Sequence, residues 1–293
     1  MMDYEGSRVR PPSEANSLLL PVTYGCSHNT CTFCGTYSDV KFRIRPLEDI
    51  KRDIDKVAAN YSWSLRRIFL ENGDAVIAPQ KLLVAVLKYL KEKFPNLERI
   101  GSYATPQAGL IKSAEQLKEL HQLGLDIIYL GVETGDEELL KKIDKGATYA
   151  QIVEAGRKIK QAGITLSVTV ILGLGGVENG ARHAGETARI LTEMDPDYAG
   201  ALTLTPIPGT ELFREWEEGR FDLITPFDSI KELKTTVEKS AFSNCFFSSM
   251  HASNYYAIRG RMPADRDRVL RQLDAILARR DPALLRPEFL RGL

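Results

Sequence analysis

Cysteine is scarce in this sequence, and neither sign of charge is in excess. The 293 residues include four cysteines, three of them between positions 26 and 34. A secreted disulfide framework spreads its bridges over a small domain, so this distribution excludes one. The 39 basic and 39 acidic residues cancel, so the net field attracts neither nucleic acid nor an anionic membrane surface. Clustered thiols in a reducing compartment indicate metal ligands instead.

Long hydrophobic runs are also missing. The longest apolar run, Val168 to Leu174, is far too short to cross a bilayer. The start of the sequence, Met1 to Glu5, is acidic and lacks the basic-then-apolar layout of a signal peptide. We therefore expect a cytoplasmic protein without a membrane segment.

What the sequence does contain is an alternation of short apolar runs with amphipathic stretches. The strand-like runs are rich in β-branched and aromatic residues, and they cover Leu18 to Thr23, Arg67 to Leu70, Leu97 to Tyr103, Asp126 to Val132, Ile164 to Leu172 and Tyr198 to Leu204. The helical patterns cover Pro46 to Asn60, Gln80 to Phe94, Ser113 to Leu123, Thr148 to Ala162 and Gly180 to Met194. Such a series predicts parallel strands joined by right-handed crossovers. The predicted class is α/β, as an open doubly wound sheet or a partial (β/α)6 TIM-like barrel.

Three segments are expected along the chain. Residues 1–16 contain Pro11 and Pro12 and no periodicity, which indicates an N-terminal lead-in. Residues 17–210 hold the strand and helix series. In residues 211–293 the alternation stops, so we expect an irregular, α-rich segment that closes the barrel and carries substrate specificity. Its last helix, about Ala264 to Arg280, is rich in arginine, which we interpret as a solvated face.

The three clustered cysteines directly follow the first predicted strand. Cys26, Cys31 and Cys34 have the spacing C-x4-C-x2-C, and barrels carry their active sites on the loops after the strands. Three thiolates at this spacing can each bind one iron of a 4Fe–4S cubane, which leaves the fourth iron without a protein ligand. An open iron is a place where a substrate or cofactor can bind.

Three other interpretations of this loop stay open. A plant-type 2Fe–2S ferredoxin uses the same spacing and a fourth cysteine, for which Cys245 is the one remaining. A structural zinc site would take His28 as its fourth ligand, although such sites usually use two separated pairs. A thiol redox pair at Cys31 and Cys34 leaves Cys26 unexplained.

The loop and the strand ends after it resemble the radical S-adenosylmethionine (SAM) superfamily, in its HemN/MiaB-like branch. The usual spacing there is C-x3-C-x2-C with an aromatic residue just before the last cysteine. Phe33 fills that position, whereas the first interval here is one residue longer. Later marks of the family follow in order, namely Asn72-Gly73-Asp74 for Gly-Gly-Glu, Glu133 within Gly-Val-Glu-Thr-Gly, Lys145, Thr169, and Pro208-Gly209-Thr210.

The resemblance implies a role for each of these residues. Cys26, Cys31 and Cys34 are the implied ligands of the 4Fe–4S cluster. The implied SAM contacts are Phe33, Asn72, Gly73, Asp74, Glu133, Lys145 and Thr169. Tyr103 stands where some relatives carry an acid, and it is a candidate of the same kind.

The resemblance also implies a reaction. SAM binds the open iron, the reduced cluster passes on one electron, and a 5′-deoxyadenosyl radical abstracts a hydrogen atom from the substrate. A reductant protein such as flavodoxin or ferredoxin supplies the electron, and the cluster is sensitive to oxygen. We recognise no cobalamin-binding module, second cluster domain or acetyltransferase-like extension, so we expect a small-molecule substrate and no nucleic-acid partner. The alternative is a non-catalytic zinc or iron–sulfur protein, which would have no use for SAM.

Candidates for catalytic side chains lie in the C-terminal segment, where polar and aromatic residues concentrate. They are Cys245, His251 and Asn254. A lone cysteine is more often a small buried hydrophobe than a reactive thiol. His251 fits a capping or hydrogen-bonding role equally well.

Overall fold

Residues 4–292 are described here from a computed structural model. Their β-strands are β1 (Leu18–Pro21), β2 (Thr23–Tyr24), β3 (Arg43–Ile44), β4 (Arg67–Glu71), β5 (Arg99–Ala104), β6 (Leu125–Glu133), β7 (Thr165–Leu172), β8 (Tyr198–Thr203), β9 (Cys245–Ser248) and β10 (Arg259–Met262).

The α-helices of the same residues occupy most of the connections between these strands. They are α1 (Leu47–Tyr61), α2 (Gln80–Lys93), α3 (Pro106–Ile111), α4 (Ala114–Gln122), α5 (Glu137–Lys142), α6 (Tyr149–Gln161), α7 (Gly176–Met194), α8 (Glu211–Glu217), α9 (Pro226–Lys239) and α10 (Arg266–Arg279). Ser113 caps α4 in a reciprocal arrangement with Gln116, so polar side chains satisfy the first exposed N–H groups of that helix. No helix in the described range is long and apolar enough to span a membrane.

Eight strands form one mostly parallel sheet in the order β1, β4, β5, β6, β7, β8, β9, β10. β9 is parallel to β8, whereas β10 is antiparallel to β9. β2 and β3 form a separate antiparallel pair. Because β1 and β10 are the two ends of the order, the sheet is not a closed barrel. The predicted α/β class is confirmed.

The chain divides into two compact units, of which the first contains residues 4–29, 36–130 and 154–166. The register of its parallel strands places Leu19, Phe69, Gly101 and Ile127 side by side. A side chain at Gly101 would crowd Phe69 and Ile127, so glycine leaves room for this row. The buried carboxylate of Glu14 accepts a hydrogen bond from the Tyr129 hydroxyl (2.7 Å) and ties the N-terminal segment to the sheet.

The second unit contains residues 30–35, 131–153 and 167–292. Burial alternates along β7, where Val168, Val170 and Leu172 are buried and the residues between them are half-buried. This alternation is typical of a strand with one face in a core. Helix α9 crosses from β8 to β9 and packs against α7, which makes a further β/α unit after the six that the sequence predicts.

The six predicted strands and the six predicted helices, including the last one at about Ala264 to Arg280, are all present, with ends that differ by a few residues. The C-terminal segment differs more from the expectation, because β9 and β10 extend the sheet where an irregular, α-rich segment was predicted. The division into 1–16, 17–210 and 211–293 stays a prediction.

Candidate functional site

The cysteine loop begins where β2 ends. Cys26 Sγ donates to the backbone oxygen of His28 (3.3 Å), and Cys34 N–H donates to the backbone oxygen of Cys31 (3.1 Å). These three cysteines are partly exposed thiols, whereas Cys245 is a buried thiol. The structure therefore keeps all three motif thiols accessible in one short stretch of chain.

This donor set suits an iron–sulfur cluster better than a single metal ion. Within residues 4–292, no three side chains of His, Cys, Asp or Glu gather closely enough to hold one ion. A cubane binds each thiolate to a different iron, so its ligands need not converge on one point. The chemistry of Cys26, Cys31 and Cys34 fits this requirement.

The segment Asn72-Gly73-Asp74 follows β4 and lies directly against Cys26. Gly25 N–H donates to Asn72 Oδ1 (3.2 Å), and Gly73 N–H donates to the Gly25 backbone oxygen (3.1 Å). A Cβ atom at Gly73 would stand 2.7 Å from Cys26 Cβ, closer than real Cβ atoms approach. Only glycine permits this contact, so the segment that the resemblance assigns to SAM packs onto the first cysteine.

Asp74 connects three loops of the first unit. Its Oδ2 accepts hydrogen bonds from Ser27 Oγ (2.5 Å) and Thr105 Oγ1 (2.7 Å), and its Oδ1 accepts one from Thr105 N–H (3.3 Å). Full burial raises the pKa of Asp74 to about 6, against the lowering effect of these hydrogen bonds. We call this arrangement the Asp74 clamp, and its direct effect is to fix the residue next to Cys26.

Glu133 and Lys145 form an ion pair in the second unit. Lys145 Nζ lies 2.9 Å from Glu133 Oε1, and both side chains are nearly buried. Glu133 has a positive φ of 64°, which is strained for a residue other than glycine. A side chain at Gly131 would collide with the Glu133 carboxylate. The structure thus brings together two residues that the sequence suggests separately.

A network of buried polar side chains begins at the residue after Glu133. His183 Nε2 donates to the Ile171 backbone oxygen (2.9 Å), so His183 Nδ1 accepts from the Thr134 hydroxyl (2.8 Å). Burial lowers the pKa of His183 to about 4, and the ring is neutral at neutral pH. Glu232 Oε2 accepts from Gly173 N–H (2.7 Å) at the turn after β7.

Glu232 is the second residue of this network, after His183, whose pKa is strongly shifted. Burial raises its pKa to about 8, so its carboxyl is mostly protonated at neutral pH. It lies 3.9 Å from His183 Nε2, and because both groups are neutral at pH 7, this contact is not an ion pair. The two residues hold the turn at Gly173 and the residue after Glu133 in fixed positions.

Three further predicted cofactor contacts have well-defined surroundings. Phe33 packs against the buried apolar cluster of the second unit. Thr169 is half-buried on β7. Tyr103 packs edge to face against Phe69, with ring centroids 5.0 Å apart. Their roles toward SAM stay predictions.

The C-terminal candidates occupy different environments. Cys245 is fully buried on β9, opposite Met262 of β10. Asn254 is buried and makes hydrogen bonds with Thr203 Oγ1 (2.9 Å) and the Ala201 backbone oxygen (2.8 Å), which indicates a structural role. His251 Nδ1 lies 2.9 Å from Ser253 Oγ, and burial together with nearby Arg286 lowers the pKa of His251. Their catalytic roles stay predictions.

Sequence reasoning missed Ser27, Thr105, His183 and Glu232. Ser27 stands next to Cys26, and this position in the loop is the one sequence signal that could have identified it. The other three lie far along the chain from the residues that they contact, and a threonine, histidine or glutamate alone has no distinctive pattern.

The sequence model of the radical SAM superfamily matches residues 20–184 of this chain. The chain belongs to the radical SAM superfamily. Its HemN/MiaB-like branch is supported by two similarities. The heme chaperone HemW of Bacillus subtilis is 20% identical over 204 residues, with 68% of this chain and 53% of that protein covered. The HemN structure from Escherichia coli, coproporphyrinogen III oxidase, superposes with a TM-score of 0.56 at 16% identity, with coverage of 76% of this chain and 51% of that chain.

A third similarity is to the anaerobic magnesium-protoporphyrin IX monomethyl ester cyclase of Cereibacter sphaeroides. The two sequences are 25% identical over 237 residues, which is 78% of this chain and 36% of the cyclase. The chain thus spans about a third to a half of the length of these curated relatives. Radical SAM enzymes use a 4Fe–4S cluster and SAM, so membership of the family establishes a SAM-dependent enzyme and both cofactors.

Proposed function

We propose that this chain cleaves SAM reductively and uses the product radical to abstract a hydrogen atom from a small-molecule substrate. The observation that carries the proposal is the contact between Gly73 and Cys26, which joins the expected SAM segment to the expected cluster loop. We further propose that a flavodoxin- or ferredoxin-like protein in the cytoplasm supplies the electron.

The cysteine loop and the segment at residues 72–74 have different tasks in this function. Cys26, Cys31 and Cys34 would hold the cluster, and Asn72, Gly73 and Asp74 would lie beside the methionine amino group of SAM. When bound, these cofactors supply the one-electron chemistry that yields a 5′-deoxyadenosyl radical. The Asp74 clamp holds Ser27, the residue after Cys26, because a buried carboxylate with three hydrogen bonds has little freedom to move.

Lys145 is suited to bind the carboxylate of SAM although it already contacts Glu133. Lys145 Nζ donates to Glu133 Oε1 at 2.9 Å. The pair holds the Lys145 ammonium group beside Glu133, and we propose that the carboxylate of SAM binds at this ammonium group. Thr169 and Phe33 are proposed to complete the contacts to SAM.

A non-catalytic zinc or iron–sulfur protein is the alternative function. It accounts for the cysteine loop but gives no role to the Gly73 contact or to the Glu133–Lys145 pair. Membership of an enzyme superfamily also disfavours it.

Anaerobic reconstitution with iron and sulfide, followed by reduction and addition of SAM, tests the proposed function. We expect native protein to form 5′-deoxyadenosine, detected by mass spectrometry, and Cys31→Ala to form none. A reduced protein that binds iron but shows neither cleavage nor a SAM-induced change in its EPR signal would contradict the proposal. A protein that holds one zinc and ignores SAM would support the alternative.

A further inference from the structure

Glu71, the last residue of β4, is a buried carboxyl whose hydrogen-bonding capacity is unused. Its side chain is almost fully buried, at 1% exposure. Neither of its two carboxylate oxygens accepts a hydrogen bond from any described residue. By contrast, Glu14, Asp53 and Asp74 of the same unit are buried and hydrogen-bonded. A buried acceptor without a partner is destabilising in an apolar setting, so an unused carboxyl is unusual at this place.

The register of the sheet places Glu71 next to aromatic side chains. Alternate residues of a strand share a face, so Glu71 lies on the same face as Phe69. The register of β4 and β5 pairs Leu70 with Ser102, so the next row sets Glu71 beside Tyr103. Phe69 and Tyr103 pack edge to face at 5.0 Å. The register thus sets the Glu71 position beside two aromatic residues.

Two arginines of the N-terminal segment lie near enough to affect Glu71 without pairing with it. Arg8 and Arg10 lower the pKa of Glu71, yet burial outweighs them and raises it to about 7. Arg8 stacks over the Tyr4 ring, and Arg10 donates to the Ser17 backbone oxygen. Glu71 is therefore partly ionised near neutral pH, and no cationic side chain within residues 4–292 forms an ion pair with it.

A carboxylate beside aromatic rings matches the chemistry of a primary ammonium group. The carboxylate accepts charge-assisted hydrogen bonds, and the ring faces attract the positive charge and the adjoining methylene groups. Glu71 is also the residue directly before the segment that packs against Cys26. A ligand held by Glu71 would consequently lie beside the site proposed for SAM.

We propose that Glu71 anchors a primary ammonium group of the substrate, with Tyr103 and Phe69 packing against the carbon atoms next to that group. The assignment rests on the proposed function, because it takes the ligand to be the molecule from which hydrogen is abstracted. It narrows the substrate class to amines and assigns Glu71 to specificity rather than to SAM binding.

Benzylamine and benzyl alcohol are suitable probes, because they share a shape and differ in charge. Binding of each to the native protein and to Glu71→Gln is measured by calorimetry at pH 8, where Glu71 is mostly ionised and benzylamine is protonated. We expect native protein to prefer the amine, and Glu71→Gln to weaken amine binding at least about tenfold and leave alcohol binding unchanged. Glu98→Gln, which alters an exposed carboxyl of the same unit, should change neither affinity.

Equal amine affinity in the native protein and in Glu71→Gln would overturn the proposal. If Glu71→Gln does not fold, the native protein alone still decides, because lack of preference for benzylamine over benzyl alcohol contradicts an ammonium site. The proposal is also contradicted if neither benzylamine nor the smaller methylamine shows saturable binding.

Failure of this inference is distinguishable from failure of the proposed function. Native protein that forms 5′-deoxyadenosine but shows no amine preference keeps the function and removes the amine site. Native protein that binds benzylamine through Glu71 but never cleaves SAM keeps the amine site and removes the proposed reaction.

Discussion

Replacement of Glu232 by glutamine should change how the stability of the protein depends on pH. Burial raises the pKa of Glu232 from 4.5 to about 8, and a shift of that size corresponds to roughly 5 kcal/mol. Between these two values the folded state holds the proton and the unfolded state does not, so the folded state loses stability as pH rises. Glutamine has the shape of the protonated acid, still accepts from Gly173 N–H, and does not titrate.

The size of the effect follows from the window between the two pKa values. Roughly 3 kcal/mol of the loss falls between pH 6 and pH 9, so over this range Glu232→Gln should gain that much stability relative to the native protein. His183 stays neutral throughout, and other titrating groups cancel in the comparison. Urea denaturation at both pH values measures the difference, and Glu238→Gln, at an exposed position of the same helix, is the matched control. A difference that stays constant within about 1 kcal/mol would refute the reasoning.

Three further substitutions test other parts of the site. Gly73→Ala should lower the free energy of unfolding by about 1–3 kcal/mol through the contact with Cys26, and it should lower the amount of iron bound per chain. The control Gly200→Ala, whose added Cβ would have its nearest neighbour 3.8 Å away, should retain iron. Equal iron content in both variants would contradict the packing argument. Lys145→Met removes the partner of Glu133 and should lower the free energy of unfolding by about 3–5 kcal/mol in urea denaturation. The loss should exceed that of Lys142→Met at an exposed site, and Glu133→Gln should recover part of it. Asn254→Ala removes the hydrogen bonds to Thr203 and Ala201 and should lower the free energy of unfolding by about 2–4 kcal/mol. Its iron content should stay unchanged. Normal stability together with lost turnover would instead indicate that Asn254 has a role in the reaction.

The sequence predicted the strands of the sheet because hydrophobic periodicity is a local property. The predicted strand Ile164 to Leu172 corresponds to β7, which spans Thr165–Leu172. Its alternating burial arises from neighbours in the same short segment. The cysteine motif was equally local, because all three thiols stand on one loop.

The C-terminal strands were missed because their evidence is not local. β9 and β10 have four residues each, too few to show a clear period. β10 also contains two arginines, which disfavour a strand when sequence alone is considered. These segments pair because α9 returns the chain to β8, and this return is a property of the folded chain.

The pairings at the site were likewise outside the reach of sequence patterns. Asp74 was expected to contact SAM, and the structure shows that Ser27 and Thr105 already donate to it. Ser27 is 47 residues away and Thr105 is 31 residues away. Glu71 carries no motif at all, and its isolation becomes visible only when burial and hydrogen bonds are known.

The Asp74 clamp has a consequence for the order in which the metalloprotein is assembled. Its hydrogen bonds join residues far apart in sequence, and contacts of this kind form only after the chain has closed long loops. The loop that carries Cys26 therefore acquires its shape after β4 and β5 have paired. Iron and sulfide that reach the nascent chain before this pairing meet thiols without a fixed spacing, so maturation of the holoenzyme should proceed by folding first and cluster insertion second.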